Sequence, residues 1–246
     1  MVDLASFRAP LRCAVVGASG GIGAALVAAL LEHPAVSEVH ALSRRDLAAA
    51  PRLVPTTLDL LDEDSLTRAA EVLRAHGPLD LVIVATGVLH DTAVQPEKRW
   101  EALDAASLAH SFAVNAIGPA LCARHFLPLL RTDAKAVFAA LSARVGSIGD
   151  NRAGGWYGYR ASKAALNMLL KTFALELARR NPRACCIGLH PGTVDTGLSQ
   201  PFQQRVPAAR LFTPTYAAQR LLAVVDGVAA ADSGQVFAWD GTVVPP

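Results

Sequence analysis

Short, nearly unbroken apolar runs recur along the chain: Arg12–Val16, Val36–Leu42, Leu53–Leu58, Leu79–Ala85, Ala136–Leu141, Ala184–His190 and Gln235–Trp239. Each is bounded by polar or turn residues, and Val and Ile are frequent within them. That is the pattern of strands covered on both faces, since a strand with one wet face would alternate instead. Between the runs, apolar positions repeat at helical spacing and predict helices over Ile22–Leu31, Glu63–Arg74, about Leu108 to Leu130, Gly158–Arg180 and Thr215–Val224. Strand–helix alternation of this period calls for an α/β fold, with a mainly parallel, doubly wound sheet of about seven strands and helices on both faces. No Pro/Gly-rich linker, low-complexity tract or repeat divides the sequence, so residues 1–246 read as a single domain.

Composition narrows the setting. With 52% hydrophobic residues, the chain can bury a large core. Lys+Arg 23 against Asp+Glu 21 leaves a formal charge of +2, too even a balance to draw nucleic acid or an anionic membrane. The opening MVDLASFRAPLR lacks the apolar run of a secretory signal, and no later stretch approaches about 20 uncharged apolar residues. Cys13, Cys122, Cys185 and Cys186 show no CxxC spacing, and a reducing cytoplasm is the expected compartment. His33, His76, His90, His110, His125 and His190 are scattered without ligand spacing, so no metal is expected. Ser142, Tyr159 and His190 could suggest a hydrolase triad, but the sequence has no G-x-S-x-G elbow.

Two segments carry chemistry. The first is Gly17-Ala18-Ser19-Gly20-Gly21-Ile22-Gly23, placed between the first strand and the first helix. Glycines let a backbone approach a ligand closely, and a helix N-terminus offers unpaired N–H groups and a positive dipole end to a pyrophosphate. The domain is therefore expected to be of Rossmann type and to bind a dinucleotide. At the end of the second strand, where an acidic residue would hold the ribose of NAD, the chain has Ser43-Arg44-Arg45. Arg44, with Ser43 beside it, suits the 2′-phosphate of NADP, and NADP(H) is expected in preference to NAD(H). The second segment is Tyr159-Arg160-Ala161-Ser162-Lys163, in which the phenol and the amine stand four residues apart and so share a helix face. A nearby ammonium favours a phenolate, which would suit Tyr159 to acid–base work.

Taken together, these motifs resemble the short-chain dehydrogenase/reductase family over nearly the whole chain. The matching residues are Gly17–Gly23, Asp59 with Leu60, the variant segment Val84-Ala85-Thr86-Gly87, Asn115 in VNAIGP, Tyr159 and Lys163, and Pro191-Gly192-Thr193-Val194-Asp195-Thr196. Leu141–Ile148, Gly154–Asn167 and the ending Ala238–Gly241 look like the C-factor and sniffer-type carbonyl reductase branch. The resemblance implies hydride transfer between a nicotinamide and a carbonyl carbon, with Tyr159 giving or taking the oxygen's proton. It further implies that Lys163 lowers the tyrosine pKa and binds ribose, and that Asn115 holds a relay water. Cofactor contacts are implied for Gly17, Ser19, Gly20, Gly21, Ile22, Gly23, Ser43, Arg44, Asp59, Leu60, Ala85, Thr86, Gly87, Asn115, Tyr159, Lys163, Pro191, Gly192, Val194 and Thr196. The chain departs from the family where a carbonyl-binding serine is usual, because Ala143 holds that place. Ser142 is the expected substitute and Ser147 the runner-up.

Substrate contacts are expected from the catalytic segment 142–163 and a loop of about 191–212, with Ser142, Ser147, Trp156, Tyr157, Tyr159, Leu198, Phe202 and Phe212 as candidates. The set suits a small, uncharged aldehyde, ketone or alcohol, since Arg144, Arg152 and Arg205 are the only basic residues near it. Apolar excess on the 108–130 and 158–180 helices predicts a homodimer or homotetramer. The alternative to an enzyme is a dinucleotide-binding regulatory or signalling protein of C-factor type with little turnover.

Overall fold

The computed structural model describes residues 2–246, apart from the side chain of Arg205. The chain runs β1 (Leu11–Val16), α1 (Gly21–Glu32), β2 (Val36–Ser43), β3 (Leu53–Thr57), α2 (Glu63–His76) and β4 (Leu81–Val84). There follow α3 (Ala105–Phe112), a π-helical turn (Ala113–Ile117), α4 (Gly118–Phe126), β5 (Ala136–Leu141), α5 (Tyr157–Arg180) and β6 (Ala184–His190). Last come β7 (Thr193–Val194), β8 (Leu211–Phe212), α6 (Pro214–Gly227) and β9 (Val236–Ala238).

Seven strands form one parallel sheet in the order β3-β2-β1-β4-β5-β6-β9, the Rossmann-type arrangement expected from the sequence. The order reverses between β1 and β4, which opens a crevice at the carboxyl ends of these strands. Side chains alternate into two cores. Val15, Ile83, Val137 and Ile187 face α1 and α6, while Val16, Val84, Phe138 and Cys186 face α2, α4 and α5. Complete burial of a Leu, Ile or Val side chain stabilises by about 1.5–3 kcal/mol, and all four residues of β4 have no exposed surface. The helices start where short polar side chains can satisfy free N–H groups: Asp62 accepts from Asp64, Asp104 from Ser107 and Thr213 from Tyr216.

Two differences from the sequence pattern bear on the site. The single helix expected over 108–130 starts at Ala105 and is broken by the π turn at Ala113–Ile117. Pro119 has no N–H to return to the carbonyl of Asn115, so the turn widens there. The loop after β6 is also more ordered than expected. β7 and β8 pair as a two-stranded parallel ribbon, Thr193 with Leu211 and Val194 with Phe212, which clasps the base of an excursion made of 3-10 turns. Contrary to the expectation that no stretch approaches this length, one helical stretch among the described residues, Ala105–Leu129, is long and apolar enough to cross a membrane by length and composition. It carries His110, Asn115, Arg124 and His125 and packs against α2 and α5.

Candidate active site

Two adjoining cavities occupy the crevice, of about 560 and 270 Å3, and share Ser19, Gly20, Arg45, Ala85, Thr86 and Gly87 in their walls. The glycine loop forms their floor. Gly17 takes φ +82°, a value L side chains rarely adopt, and its N–H is held by the Leu42 carbonyl at 2.8 Å. No side chain caps the N-terminus of α1, so its first N–H groups are left for a ligand. Gly23 does not reach the cavity, contrary to its expected place among the contacts. A Cβ there would lie 2.1 Å from the Gly17 carbonyl, so this glycine lets α1 pack on the loop.

The smaller cavity is lined by Ser43, Arg44, Asp59 and Leu60, four of the residues expected to contact the cofactor. The Ser43 hydroxyl donates to Ser19 Oγ at 2.7 Å and accepts from the Arg45 N–H at 3.0 Å, which ties the end of β2 to the glycine loop. Arg44 and Arg45 are exposed at its mouth. Thr86 Oγ1 is buried at the boundary of the two cavities without a hydrogen-bond partner.

The larger cavity holds the expected catalytic pair. Tyr159 and Lys163 lie on successive turns of α5 and both face it. Lys163 is 2% exposed, and its ammonium donates to the Leu141 carbonyl at 2.7 Å. Burial pushes its pKa down to about 7. Burial also pushes the Tyr159 phenol up to about 12. Desolvation thus moves the phenol opposite to the direction implied by the family resemblance, with the ammonium 5.9 Å from the ring centroid.

The serine question is divided by position. Ser142 and Ala143 line the cavity, but the Ser142 hydroxyl donates to Asn167 Oδ1 at 2.5 Å. Ser147 lies outside the cavity wall: it is 1% exposed, donates to the Pro246 carbonyl and accepts from the Asp150 N–H. It holds the chain beyond β5, so the expectation that it touches substrate is corrected. Asn115 is likewise behind the wall. Its side-chain amide exchanges two 2.8 Å hydrogen bonds with the backbone of Val88 and donates to Ser162 Oγ, which leaves the side chain no free donor for a relay water. The wider π turn positions it for this pinning of the Gly87–Val88 segment.

Pro191, Gly192, Val194, Thr196, Leu198, Phe202 and Ile22 line the larger cavity, with His190, Leu89 and Val206 among their neighbours. Trp156, in left-handed conformation at φ 53°, packs its ring 5.2 Å from that of Phe202 and 6.4 Å from that of Tyr159. Tyr157 and Phe212 of the expected aromatic set are not in the wall, and Phe212 packs on Trp239 instead. Arg144 is paired with Asp150, and the side chain of Arg205 lies outside the described residues. One contributor had no sequence signal. Glu97, 5% exposed, accepts from the Gly158 N–H at 3.1 Å and caps the first turn of α5, next to Tyr159.

A glycine-floored crevice with a Tyr–Lys helix face defines a class, and comparison agrees with it. The short chain dehydrogenase family pattern matches residues 12–207, and the chain belongs to this family of oxidoreductases. Among its relatives, C-signal from Myxococcus xanthus is 36% identical over 172 residues, 69% of this chain and 93% of that protein. A 1-hydroxy-2-glutathionyl-2-methyl-3-butene dehydrogenase from Rhodococcus is 34% identical over 80% of this chain and 82% of its own. Among solved structures, the NADPH-bound carbonyl reductase from chicken fatty liver superposes with a TM-score of 0.83 at 25% identity, covering 98% of this chain and 97% of that one.

Proposed function

We propose that the protein interconverts a small, uncharged carbonyl compound and its alcohol with NADP(H), using Tyr159 as the acid–base group. The observation that carries this reading is the Tyr159–Lys163 pair in the wall of a crevice continuous with the glycine loop and Arg44. A dinucleotide fits the residues present. The uncapped N-terminus of α1 and Gly17 suit a pyrophosphate, Ser43 and Arg44 a 2′-phosphate, and the unpartnered Thr86 hydroxyl a ribose. When bound, the nicotinamide supplies the hydride donor or acceptor.

The chain's own residues do the rest. Tyr159 gives its proton to the developing alkoxide, or takes it in the reverse direction. A phenol held near pKa 12 stays protonated until charge develops on the substrate oxygen. Lys163, near pKa 7, is charged or neutral around neutrality, which lets it pass on a proton and bind a ribose hydroxyl. Ser142 supplies the second contact to the carbonyl oxygen by exchanging Asn167 for substrate. Asn115 acts through the Val88 backbone by fixing the cofactor wall. Trp156, Leu198 and Phe202 enclose an apolar or aromatic substituent, and the pairing of Arg144 with Asp150 disfavours an anionic one.

NADPH oxidation against a panel of aldehydes and ketones tests the reading. Turnover that falls at least about a hundredfold in Tyr159→Phe with NADPH binding retained supports it. NADPH binding without turnover would instead favour a regulatory, C-factor-like role, which Ala143 at the usual serine position also suits. The reading includes a cytoplasmic protein and a homodimer or homotetramer formed through the α4–α5 face, where Ile117, Met168 and Leu175 are exposed. A monomer mass by light scattering would remove the oligomer.

A further inference from the structure

We propose that Glu38, His40 and His76 form a binding site for a divalent transition metal of zinc type, separate from the crevice and joining β2 to the end of α2. Glu38 and His40 are two residues apart on β2 and so project from the same face of the sheet, the face covered by α2. His76 is the last residue of α2 and returns to them across 36 residues of chain from His40. One nitrogen from each ring and a carboxylate oxygen lie within 4.8 Å of one another. Two imidazoles and a carboxylate, with a water as the fourth ligand, is a donor set that zinc takes in four-coordinate form.

The second observation is the state of His40. The residue has no exposed surface, yet neither of its ring nitrogens has a hydrogen-bond partner. Its Nε2 lies 2.6 Å from Glu38 Oε1 but out of alignment for a hydrogen bond. An imidazole sealed in this way without a partner ordinarily costs stability. A neutral imidazole is the form a metal binds. His76 Nδ1 sits 3.0 Å from Glu38 Oε2, and the rings of His40 and His76 meet edge to face at 4.8 Å.

Arg12, opposite Glu38 in the β1–β2 register, donates from Nε to Oε1 at 3.1 Å. A carboxylate offers about four lone-pair directions, so Arg12 and a metal can share it. Metal–nitrogen bonds of about 2.0–2.1 Å set the donors about 3.4 Å from one another, so His40 Nε2 and Glu38 Oε1 part from 2.6 Å while His76, within 4.8 Å of them, draws in. His76, whose side chain is 37% exposed, has the freedom to close that gap. The cluster lies toward the amino-terminal half of β2, about 10 Å along the strand from Ser43 at about 3.3 Å per residue. It therefore acts as a clamp between strand and helix and takes no part in hydride transfer.

The test is a titration of the purified, chelator-treated protein with Co2+, read by visible absorption, and with Zn2+, read by thermal unfolding. The expected result is one Co2+ per chain with a four-coordinate spectrum and a Tm raised by Zn2+. Affinity should be at least about tenfold weaker in His76→Ala and in Glu38→Gln, and unchanged in His110→Ala, which removes a surface histidine elsewhere. His76 is at the end of a helix and partly exposed, so its variant should fold even if a His40 variant does not. Equal affinity in wild type and His76→Ala, or loss in His110→Ala alone, would overturn the proposal.

Discussion

Replacing Lys163 by Met is expected to remove turnover and at the same time to stabilise the free protein in a pH-dependent way. The ammonium is buried with a single hydrogen bond, to the Leu141 carbonyl, and its pKa falls from 10.5 to about 7. At about 1.4 kcal/mol for each tenfold change in proton affinity, keeping this side chain charged inside the fold costs about 5 kcal/mol. The sign follows from proton counting. Between pH 7 and 10.5 the unfolded chain holds the proton and the folded chain has released it, so stability rises with pH across this window. Below pH 7 both states are charged and the cost is present in full; above 10.5 both are neutral and it is gone. Integrating the linkage from pH 7 to pH 9 gives a gain of about 2 kcal/mol from this one group. Met has a similar length and no charge, so its variant should lack that gain. Urea unfolding of both proteins at pH 7, 8 and 9 measures the difference, in which titrations elsewhere cancel. Parallel stability curves for the two would refute a desolvated lysine as the source.

Gly23→Ala places a methyl group against the Gly17 carbonyl, and should cost about 1–3 kcal/mol in urea unfolding and abolish dinucleotide binding in a fluorescence titration. Glu97→Ala leaves the Gly158 N–H at the head of α5 without its acceptor; Tm and kcat should both fall, by about 1 kcal/mol for the cap, while Glu97→Gln restores most of each. Ser142→Ala should lower kcat, whereas Ser147→Ala should cost about 1 kcal/mol of stability and leave kinetics unchanged. Unchanged rates in both variants would remove serine from the mechanism.

The sheet was legible because two-sided burial imposes continuous apolar runs, and β5 and β6 begin and end where those runs do. The cofactor loop was legible because its glycines answer a local steric demand. What escaped depends on residues far apart in sequence. The role of Glu97 exists only because the loop before α3 folds back over the start of α5, and the Glu38–His40–His76 cluster only because α2 returns to β2. Asn115 was found by its motif, yet its task of pinning Val88 is set by a π turn that leaves no trace in apolar periodicity. β7 and β8 are two residues each, too short to show alternation.

That ribbon also has a consequence for engineering the family. Because β7 and β8 fasten both ends of the excursion between them, residues 195–210 form a cassette with fixed anchor points outside the main sheet. Closing a loop costs little more when its length doubles, about 0.6 kcal/mol, so cassettes of different length and lining can be exchanged at this seam. Leu198, Phe202 and Val206 would travel with the cassette while Tyr159, Lys163 and the glycine loop stay in place. With Thr196, an implied cofactor contact against Gly21, kept at the seam, substrate range can thus be varied while the Tyr–Lys pair stays in place.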